Sequence, residues 1–196
     1  TPAELRAIQQ VARQHELKLH LDGARFANAV AALDLPPRAL TVECGVDVLC
    51  FGGSKNGLAV GEAVLFFDLT AAEEFAYRCK QAGQLAAKMR FLAAQWLGLL
   101  QDGAWLRHAA HANRCAALLE EELCALPEVE LMFPRQANAV FVRMPEAVIA
   151  ALRQRGWLFY TFIGVGGVRL MCAWDTQEAT VRAFVADVKT ALRATR

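Results

Sequence analysis

The feature that most constrains the fold is a strand–helix–strand pattern near the start of the chain. Residues 17–21 alternate apolar and polar side chains and predict a short strand that ends at Asp22. Residues 24–35 predict a helix, and residues 47–51 predict a strand that is apolar on both faces. Two strands joined in this way favour a right-handed βαβ unit with parallel strands. The first part of the chain is therefore expected to be α/β.

Beyond this unit the sequence predicts a third strand and two long helices. The strand is expected at residues 62–67, after a loop that contains several glycines. Residues 70–100 predict a helix with one or two breaks, near Gly83 and Gly98, and residues 102–126 predict a second helix. Thr1 and Glu4 form a capping-box pattern that predicts a further helix at the beginning of the sequence.

After Pro127 the pattern changes to short strands and turns, which favours a small α+β domain with its own core. Asp175 is expected to cap a final helix with one apolar face. Strands are expected at residues 129–133, 139–144, 157–163 and 168–174, with a helix at residues 147–154. We expect the chain to divide into residues 1–100 and residues 101–196.

Composition argues against several classes of function. The 21 Lys and Arg residues balance 20 Asp and Glu residues, so no basic surface for nucleic acid or for an anionic membrane is expected. The apolar runs are too short to span a bilayer. None of the six cysteines forms a CxxC pair, which favours buried, reduced thiols in the cytoplasm. Because 56% of the residues are hydrophobic, we expect burial against another chain in an oligomer.

Asp22 and Lys55 are the first candidate site residues. Each follows a predicted strand, and ligands of open α/β sheets bind at the carboxyl ends of the strands. A carboxylate and an amine placed there, beside Gly52 and Gly53, suit a flat cofactor ring with a basic nitrogen and an aldehyde. The alternative is that Asp22 caps the next helix and that Lys55 is a solvated loop residue. Spacing alone favours this alternative.

Longer motifs favour the cofactor site. Residues 20–25 (HLDGAR) and 51–67 (FGGSKNGLAVGEAVLFF) resemble the threonine aldolase family, in particular its bacterial low-specificity members. The similarity continues through residues 78–96 and 167–174 and thus covers nearly the whole chain. The family is grouped with the β-eliminating lyases. The resemblance implies an aspartate-aminotransferase-like fold (pyridoxal phosphate fold type I), in which the chain supplies the C-terminal part of the large parallel-sheet domain and a small α+β domain.

The resemblance also implies roles for individual residues. Lys55 is expected to bond to the aldehyde of pyridoxal 5'-phosphate, and Asp22 is expected to pair with the pyridine nitrogen. Arg25 matches a family arginine beside the phenolic oxygen of the cofactor. Arg90 matches an arginine that reaches a phosphate across a dimer interface. Arg169 matches the arginine that binds the carboxylate of the substrate.

Each arginine also has an alternative explanation. Arg169 lies among apolar residues of a predicted strand, on the face opposite Val168 and Leu170, and an arginine in such a place needs an anion. A structural ion pair would satisfy it as well. Arg25 can be a helix-surface residue. His20 can line the site or pack, and we favour packing.

Two other patterns are not interpreted as sites. His108, His111 and Cys115 have helical spacing, but no carboxylate completes a metal site, so no metal is expected. Residues 164–167 are rich in glycine but open no helix, so a hairpin turn is favoured over a phosphate loop.

By the resemblance, the chain is expected to cleave L-threonine, allo-threonine and related β-hydroxy-α-amino acids to glycine and an aldehyde, as a homodimer or homotetramer. Family members are longer, and we expect the part before Thr1 to carry the residues that stack on the ring and bind its phosphate. Two alternatives remain open. The chain can belong to another lyase or transferase of the same fold type, or it can be a non-catalytic chain that acts by pairing.

Overall fold

The predicted parallel pair of strands is present in the computed structural model, which describes residues 1–195. Strands β1 (His20–Gly23) and β2 (Val48–Gly52) are parallel and are connected through helix α2 (Phe26–Leu33). Asp22 lies opposite Cys50 in the pairing. β1 begins three residues later than expected, so Asp22 lies inside the strand rather than after it.

The chain forms two compact units, of which the first comprises Thr1–His108. Its sheet has the order β1-β2-β3, and β3 (Glu62–Phe66) runs antiparallel to β2. Its helices are α1 (Pro2–Gln14), α2, α3 (Phe75–Gln81) and α4 (Met89–Leu100), and helix α5 (Ala104–Cys124) begins in it. The capping box of Thr1 and Glu4 is confirmed.

Of the one or two breaks predicted, the break near Gly83 is confirmed and none occurs near Gly98. α3 ends at Gln81, and Gly83 has a left-handed φ of 69°, which glycine adopts without strain. Gly98 lies inside the continuous helix α4. A single glycine within an otherwise favourable helical sequence lowers the helix propensity without ending the helix.

The second unit begins at Ala109 and contains a four-stranded antiparallel sheet with the order β4-β5-β7-β6. Its strands are β4 (Glu130–Phe133), β5 (Ala139–Arg143), β6 (Tyr160–Thr161) and β7 (Gly167–Met171), and its helices are α6 (Glu146–Gln154) and α7 (Glu178–Ala194), together with most of α5. The predicted cap at Asp175 is wrong, because the residue before α7 is Gln177, which makes no side-chain capping bond.

The core of the second unit is formed by the inner faces of its helices and sheet. Val168, Leu170 and Cys172 share the buried face of β7 and of the residue that follows it, as the alternation predicted. Six cysteines are free. Cys124, at the end of α5, is exposed, so the expectation that all thiols are buried is wrong. Within residues 1–195, no helix is both long and apolar enough to cross a membrane.

Leu123 provides a test of this core. Its side chain is fully buried in the cluster between helices and sheet, so Leu123→Ala removes apolar contacts and leaves a cavity. We expect the free energy of unfolding to fall by about 2–5 kcal/mol. Denaturant unfolding followed by circular dichroism measures this loss. Leu158→Ala is the control, since Leu158 is 96% exposed. Equal losses for the two variants would show that the core is packed differently.

Candidate active site

Asp22 lies near the carboxyl end of β1 with an exposed side chain. Its Oδ1 atom accepts a hydrogen bond from the backbone N–H of Ala24 at 3.0 Å. The turn after the strand is thereby fixed, and the other positions around the carboxylate face solvent. Asp22 does not cap α2, whose N-cap is Arg25. The capping alternative is therefore wrong.

A second aspartate aligns the two strands. The Oδ2 atom of Asp47 accepts a hydrogen bond from the backbone N–H of Leu19 at 2.7 Å, and the backbone N–H of Asp47 donates to the carbonyl of Leu19 at 2.9 Å. These bonds continue the β1–β2 pairing beyond His20, where the regular ladder stops. The register that places Asp22 opposite Cys50 is thus held at its start.

The loop after β2 approaches the loop after β1 because Gly52 has no side chain. A Cβ atom at Gly52 would lie 2.7 Å from the Cα atom and 2.9 Å from the carbonyl oxygen of Ala24, closer than real Cβ contacts. Any larger residue would push the two loops apart. Gly52 therefore brings the loop that carries Lys55 beside the end of β1, the strand that carries Asp22.

Gly53 is packed as tightly. A Cβ atom there would overlap Leu58 Cδ1 and would lie 2.8 Å from Trp96 Cζ2. It would also lie 2.9 Å from the carbonyl oxygen of Gly61. The two glycines were expected to admit a flat ring. The structure shows a second reason for glycine at both positions, since a Cβ atom at either would collide with neighbouring atoms of the protein itself.

Lys55 lies in a single 3₁₀ turn, Ser54–Asn56, and its side chain is exposed. Within residues 1–195, its Nζ atom makes no hydrogen bond or ion pair. Its neighbours are held on both sides. Ser54 Oγ donates to Glu62 Oε1 at 2.6 Å, and the amide of Asn56 donates to the carbonyl of Trp105 at 2.8 Å. The amine is therefore available on a turn whose flanking residues are anchored.

His20 and Cys50 lie on the same face of the sheet as Asp22. His20 is exposed, and its Nε2 atom lies 3.2 Å from Cys50 Sγ. His20 therefore contacts Cys50 without being buried, and the preference for packing over lining the site stays a prediction. Burial raises the pKa of the Cys50 thiol, and the nearby carboxylates of Asp22 and Glu62 raise it further. A thiol with a raised pKa stays protonated at neutral pH, so Cys50 is a poor nucleophile.

Arg25 and Arg90 also belong to the first unit. Arg25 is half-buried at the N-cap position of α2, three residues after Asp22. Arg90 is exposed on α4, and its guanidinium carbon lies 4.9 Å from the centre of the Phe91 ring. Arg90 lines an open groove of about 980 Å³ that also contains Ser54. The structure thus brings Arg90 into one groove with a direct neighbour of Lys55.

Arg169 belongs to the second unit, where it lies at the centre of β7. It pairs with Phe141 on β5 and with Tyr160 on β6. Its guanidinium carbon lies 5.0 Å from the centre of the Tyr160 ring. Its Nε atom is buried and has no hydrogen-bond partner among residues 1–195. A buried guanidinium N–H without an acceptor is costly, and an anion would satisfy it. The alternative of a structural ion pair receives no support in the described part of the chain.

The histidine–cysteine pattern of α5 and the glycine-rich residues 164–167 both have a structural explanation. His111 Nε2 lies 2.7 Å from the carbonyl oxygen of Thr176, which Cys115 Sγ also contacts at 3.3 Å. No group of three or more His, Cys, Asp or Glu among residues 1–195 is placed to hold a metal ion. Residues 162–166 connect the antiparallel strands β6 and β7, which confirms the predicted hairpin.

Comparison with known proteins places these features in a family. The sequence profile of the β-eliminating lyase family matches residues 1–147, and this stretch contains β1, β2 and the loop of Lys55. The chain belongs to the β-eliminating lyase family. The resemblance seen in the sequence motifs is thereby confirmed.

Two curated members of this family are especially similar to the chain. The low specificity L-threonine aldolase of Pseudomonas sp. (strain NCIMB 10558) is 61% identical over 193 residues, which are 98% of this chain and 56% of the relative. The enzyme of the same name from Pseudomonas aeruginosa is 60% identical over 96% of this chain and 54% of the relative. The chain therefore spans about half the length of the curated relatives that it matches.

Solved structures give the fold of this β-eliminating lyase family member. The threonine aldolase of Leishmania major superposes with a TM-score of 0.86 at 30% identity and covers 96% of this chain and 56% of its own. The TDC of Oryza sativa, solved with PLP, superposes with a TM-score of 0.73 at 16% identity, over 97% of this chain and 45% of its own. At this low identity the second match shows the fold alone. The fold is the predicted pyridoxal phosphate fold type I.

No sequence pattern identified Asn56 or Glu62 as a site residue. Both anchor the turn that carries Lys55, Asn56 through Trp105 and Glu62 through Ser54. Glu62 is the first residue of β3 and appeared as an ordinary strand residue. The sequence offered one signal for a role of Asn56: it is a polar residue directly after the candidate lysine, and no turn requires it there. Its meaning depends on a partner 49 residues later in the chain.

Proposed function

We propose that the chain carries out the pyridoxal phosphate-dependent cleavage of L-threonine, allo-threonine and related β-hydroxy-α-amino acids to glycine and an aldehyde. One observation carries the proposal: the contact of Gly52 with Ala24, which brings the loop of Lys55 against the end of the strand that carries Asp22. The aldehyde of pyridoxal phosphate is para to its ring nitrogen, so its two ends need an amine and a carboxylate at neighbouring strand ends. The names of the two curated relatives support the choice of substrate.

The residues of the first unit fit this cofactor. Lys55 has an exposed amine with no partner among residues 1–195, and Asp22 has an exposed carboxylate fixed by one backbone bond. Arg25, at the N-cap of α2, would hold the phenolic oxygen of the ring. Arg90, which lines the groove that contains Ser54, would reach a phosphate across a dimer interface. When bound, pyridoxal phosphate supplies an electron sink for the pair released when a bond at the substrate Cα breaks.

Asp22 and Lys55 have distinct tasks in this reaction. Asp22 would hold the ring nitrogen in its protonated form, because a carboxylate next to a pyridinium stabilises the positive charge. Lys55 would hold the cofactor at its aldehyde. The exposed position of Lys55 leaves room for the amino group of the substrate beside it.

Arg169 binds the substrate carboxylate in this proposal. Its buried and unpartnered Nε–H and the rest of its guanidinium can donate two parallel hydrogen bonds to a carboxylate. Holding the carboxylate orients the Cα–Cβ bond for cleavage. A base then removes the proton of the β-hydroxyl, the Cα–Cβ electron pair stays with the glycine part, the aldehyde departs, and Cα gains a proton.

The domain organisation and the assembly are part of the same proposal. Residues 1–100 form the C-terminal part of the large cofactor-binding domain, and residues 101–196 form the helical connection and the small domain. A homodimer or homotetramer is supported by exposed apolar side chains such as Leu69, Tyr77 and Leu97, which are 78%, 73% and 74% exposed. The six free cysteines support a location in the cytoplasm.

Borohydride trapping tests the proposal directly. The protein is incubated with pyridoxal phosphate, reduced with borohydride, digested and analysed by mass spectrometry. We expect a visible absorption band before reduction and a stable pyridoxyl group on Lys55 after it. Pyridoxamine phosphate, which has no aldehyde, is the control and should leave Lys55 unlabelled. A label on a different lysine would overturn the assignment.

Product analysis tests the substrate. With L-threonine, we expect equal amounts of glycine and acetaldehyde. Serine and an aryl-serine serve as comparison substrates, since the related lyases and transferases break other bonds at Cα. Loss of the substrate carboxyl group or transfer of the amino group would assign the chain to another reaction of the same fold type.

A further inference from the structure

The turn that carries Lys55 combines a free amine with anchored neighbours. A 3₁₀ turn of three residues has little stability by itself, because its hydrogen bonds are few and poorly aligned. The glycines around it, such as Gly57 with a φ of 113°, add conformational freedom to the unfolded loop. Contacts from outside the turn must therefore hold it in one conformation.

Asn56 makes the first of these contacts. Its side chain is only 4% exposed, although asparagine is usually found at the surface. Its Nδ2 atom donates a hydrogen bond to the carbonyl oxygen of Trp105 at 2.8 Å. A buried amide is retained where it is hydrogen-bonded, so this bond fixes the position of Asn56 against the first turns of α5.

His108 makes the second contact. Its Nδ1 atom lies 3.0 Å from the backbone carbonyl oxygen of Asn56. Because a carbonyl oxygen only accepts, Nδ1 carries the hydrogen and donates it. Trp105 and His108 lie one turn apart on the same helix and in the same unit as Asn56. The helix thus holds Asn56 through both its side chain and its backbone.

On the other side of Lys55, Glu62 holds Ser54. Glu62 Oε1 accepts from Ser54 Oγ at 2.6 Å, and the Ser54 backbone N–H lies 3.4 Å from the same oxygen. This carboxylate is exposed, whereas the contacts of Asn56 are partly buried. Exposed polar contacts contribute less than buried ones, so Asn56 is the stronger of the two anchors.

We propose that Asn56 is a positioning residue for Lys55, which acts by fixing the turn to Trp105 and His108, so that Lys55 keeps one backbone position on the loop that Gly52 holds against Ala24. The inference rests on the proposed function, because it assumes that Lys55 bonds to the cofactor. A turn that is already held in one conformation has lost its backbone freedom before the cofactor binds, so bonding of Lys55 to the aldehyde costs less. Without the anchor, the same amine samples many positions.

Asn56→Ala tests the inference with two measurements. The first is a titration with pyridoxal phosphate followed by the visible band and by borohydride trapping. We expect about tenfold weaker binding, roughly the effect of one buried hydrogen bond, with the label still on Lys55 at saturation. The second is amide hydrogen exchange without cofactor, in which residues 54–57 should exchange about tenfold faster. His108→Ala should produce the same pattern.

Asn138→Ala is a matched control. Asn138 is 6% exposed, and its Nδ2 atom donates to the carbonyl oxygen of Cys172 at 2.7 Å, in the second unit. Asn138→Ala removes the same kind of buried hydrogen bond, so we expect a similar decrease in the free energy of unfolding. Amide hydrogen exchange at residues 54–57 should remain as fast as in the unmodified protein. Unchanged exchange in Asn56→Ala, or an equal change in the control, would overturn the inference. Failure of the unmodified protein to label Lys55 would overturn the proposed function instead, while the exchange experiment would still decide whether Asn56 anchors the turn.

Discussion

Replacement of Lys55 by alanine is expected to reduce the rate of L-threonine cleavage by at least about a thousandfold, because it removes the only group that bonds to the cofactor aldehyde in the proposed mechanism. The side chain is exposed and makes no hydrogen bond or ion pair within residues 1–195, so its removal should leave the fold intact. Acetaldehyde release, measured with a coupled alcohol dehydrogenase assay, gives the rate. Circular dichroism checks the fold.

Lys189→Ala is the control for this experiment. Lys189 is an exposed lysine on α7 whose Nζ atom lies 3.6 Å from Glu122 Oε2, in an ion pair of small energetic weight. This variant should retain the unmodified rate. If Lys55→Ala keeps a rate within about tenfold of the unmodified protein, the bonded amine is elsewhere.

Arg169→Leu is expected to lower kcat/KM for L-threonine about a hundredfold, mainly through a higher KM. The reason is the loss of charge-assisted hydrogen bonds to the substrate carboxylate. For Arg169→Lys, we expect a kcat/KM between those of Arg169→Leu and of the unmodified protein. An ammonium keeps the charge but cannot form two parallel hydrogen bonds. Steady-state kinetics over a range of threonine concentrations separates KM from kcat.

Arg143→Leu is the matched control for Arg169. Arg143 lies on the neighbouring strand β5, is exposed, and forms an ion pair with Glu130 at 2.7 Å. We expect nearly unchanged kinetics, since an exposed ion pair contributes little. The same KM in Arg169→Leu and in the unmodified protein would assign carboxylate binding to a different residue.

The sequence was sufficient to predict the elements whose pattern is local. Alternation in residues 17–21 and the apolar residues 47–51 predicted two parallel strands, and the capping box predicted α1. The limits of β1 were displaced because the bonds of Asp47 to Leu19 replace the first step of the ladder. Such a side-chain contribution to strand pairing has no periodic signature.

The site was predicted in part, and the missing part is non-local. Asp22 and Lys55 were identified because each was predicted to follow a strand, and the structure places Ala24, directly after β1, against Gly52 at the end of β2. The roles of Gly52 and Asn56 could not be seen, because they depend on Ala24 and on Trp105, whose distances in sequence are 28 and 49 residues. A close backbone approach and a buried amide bond become visible only when the tertiary structure is known.

The bond between Asn56 and Trp105 also sets an order of events during folding. It joins residues 49 positions apart, and the contact with His108 joins residues 52 positions apart. Closing so long a loop is slow and unfavourable until other contacts compensate for it. A growing polypeptide that ends before α5 can therefore form β1, β2 and β3, but it cannot yet hold the lysine turn in its final conformation. If Lys55 bonds to the cofactor as proposed, its full affinity for the cofactor is reached only after the docking of a helix that is synthesised some fifty residues after the lysine itself.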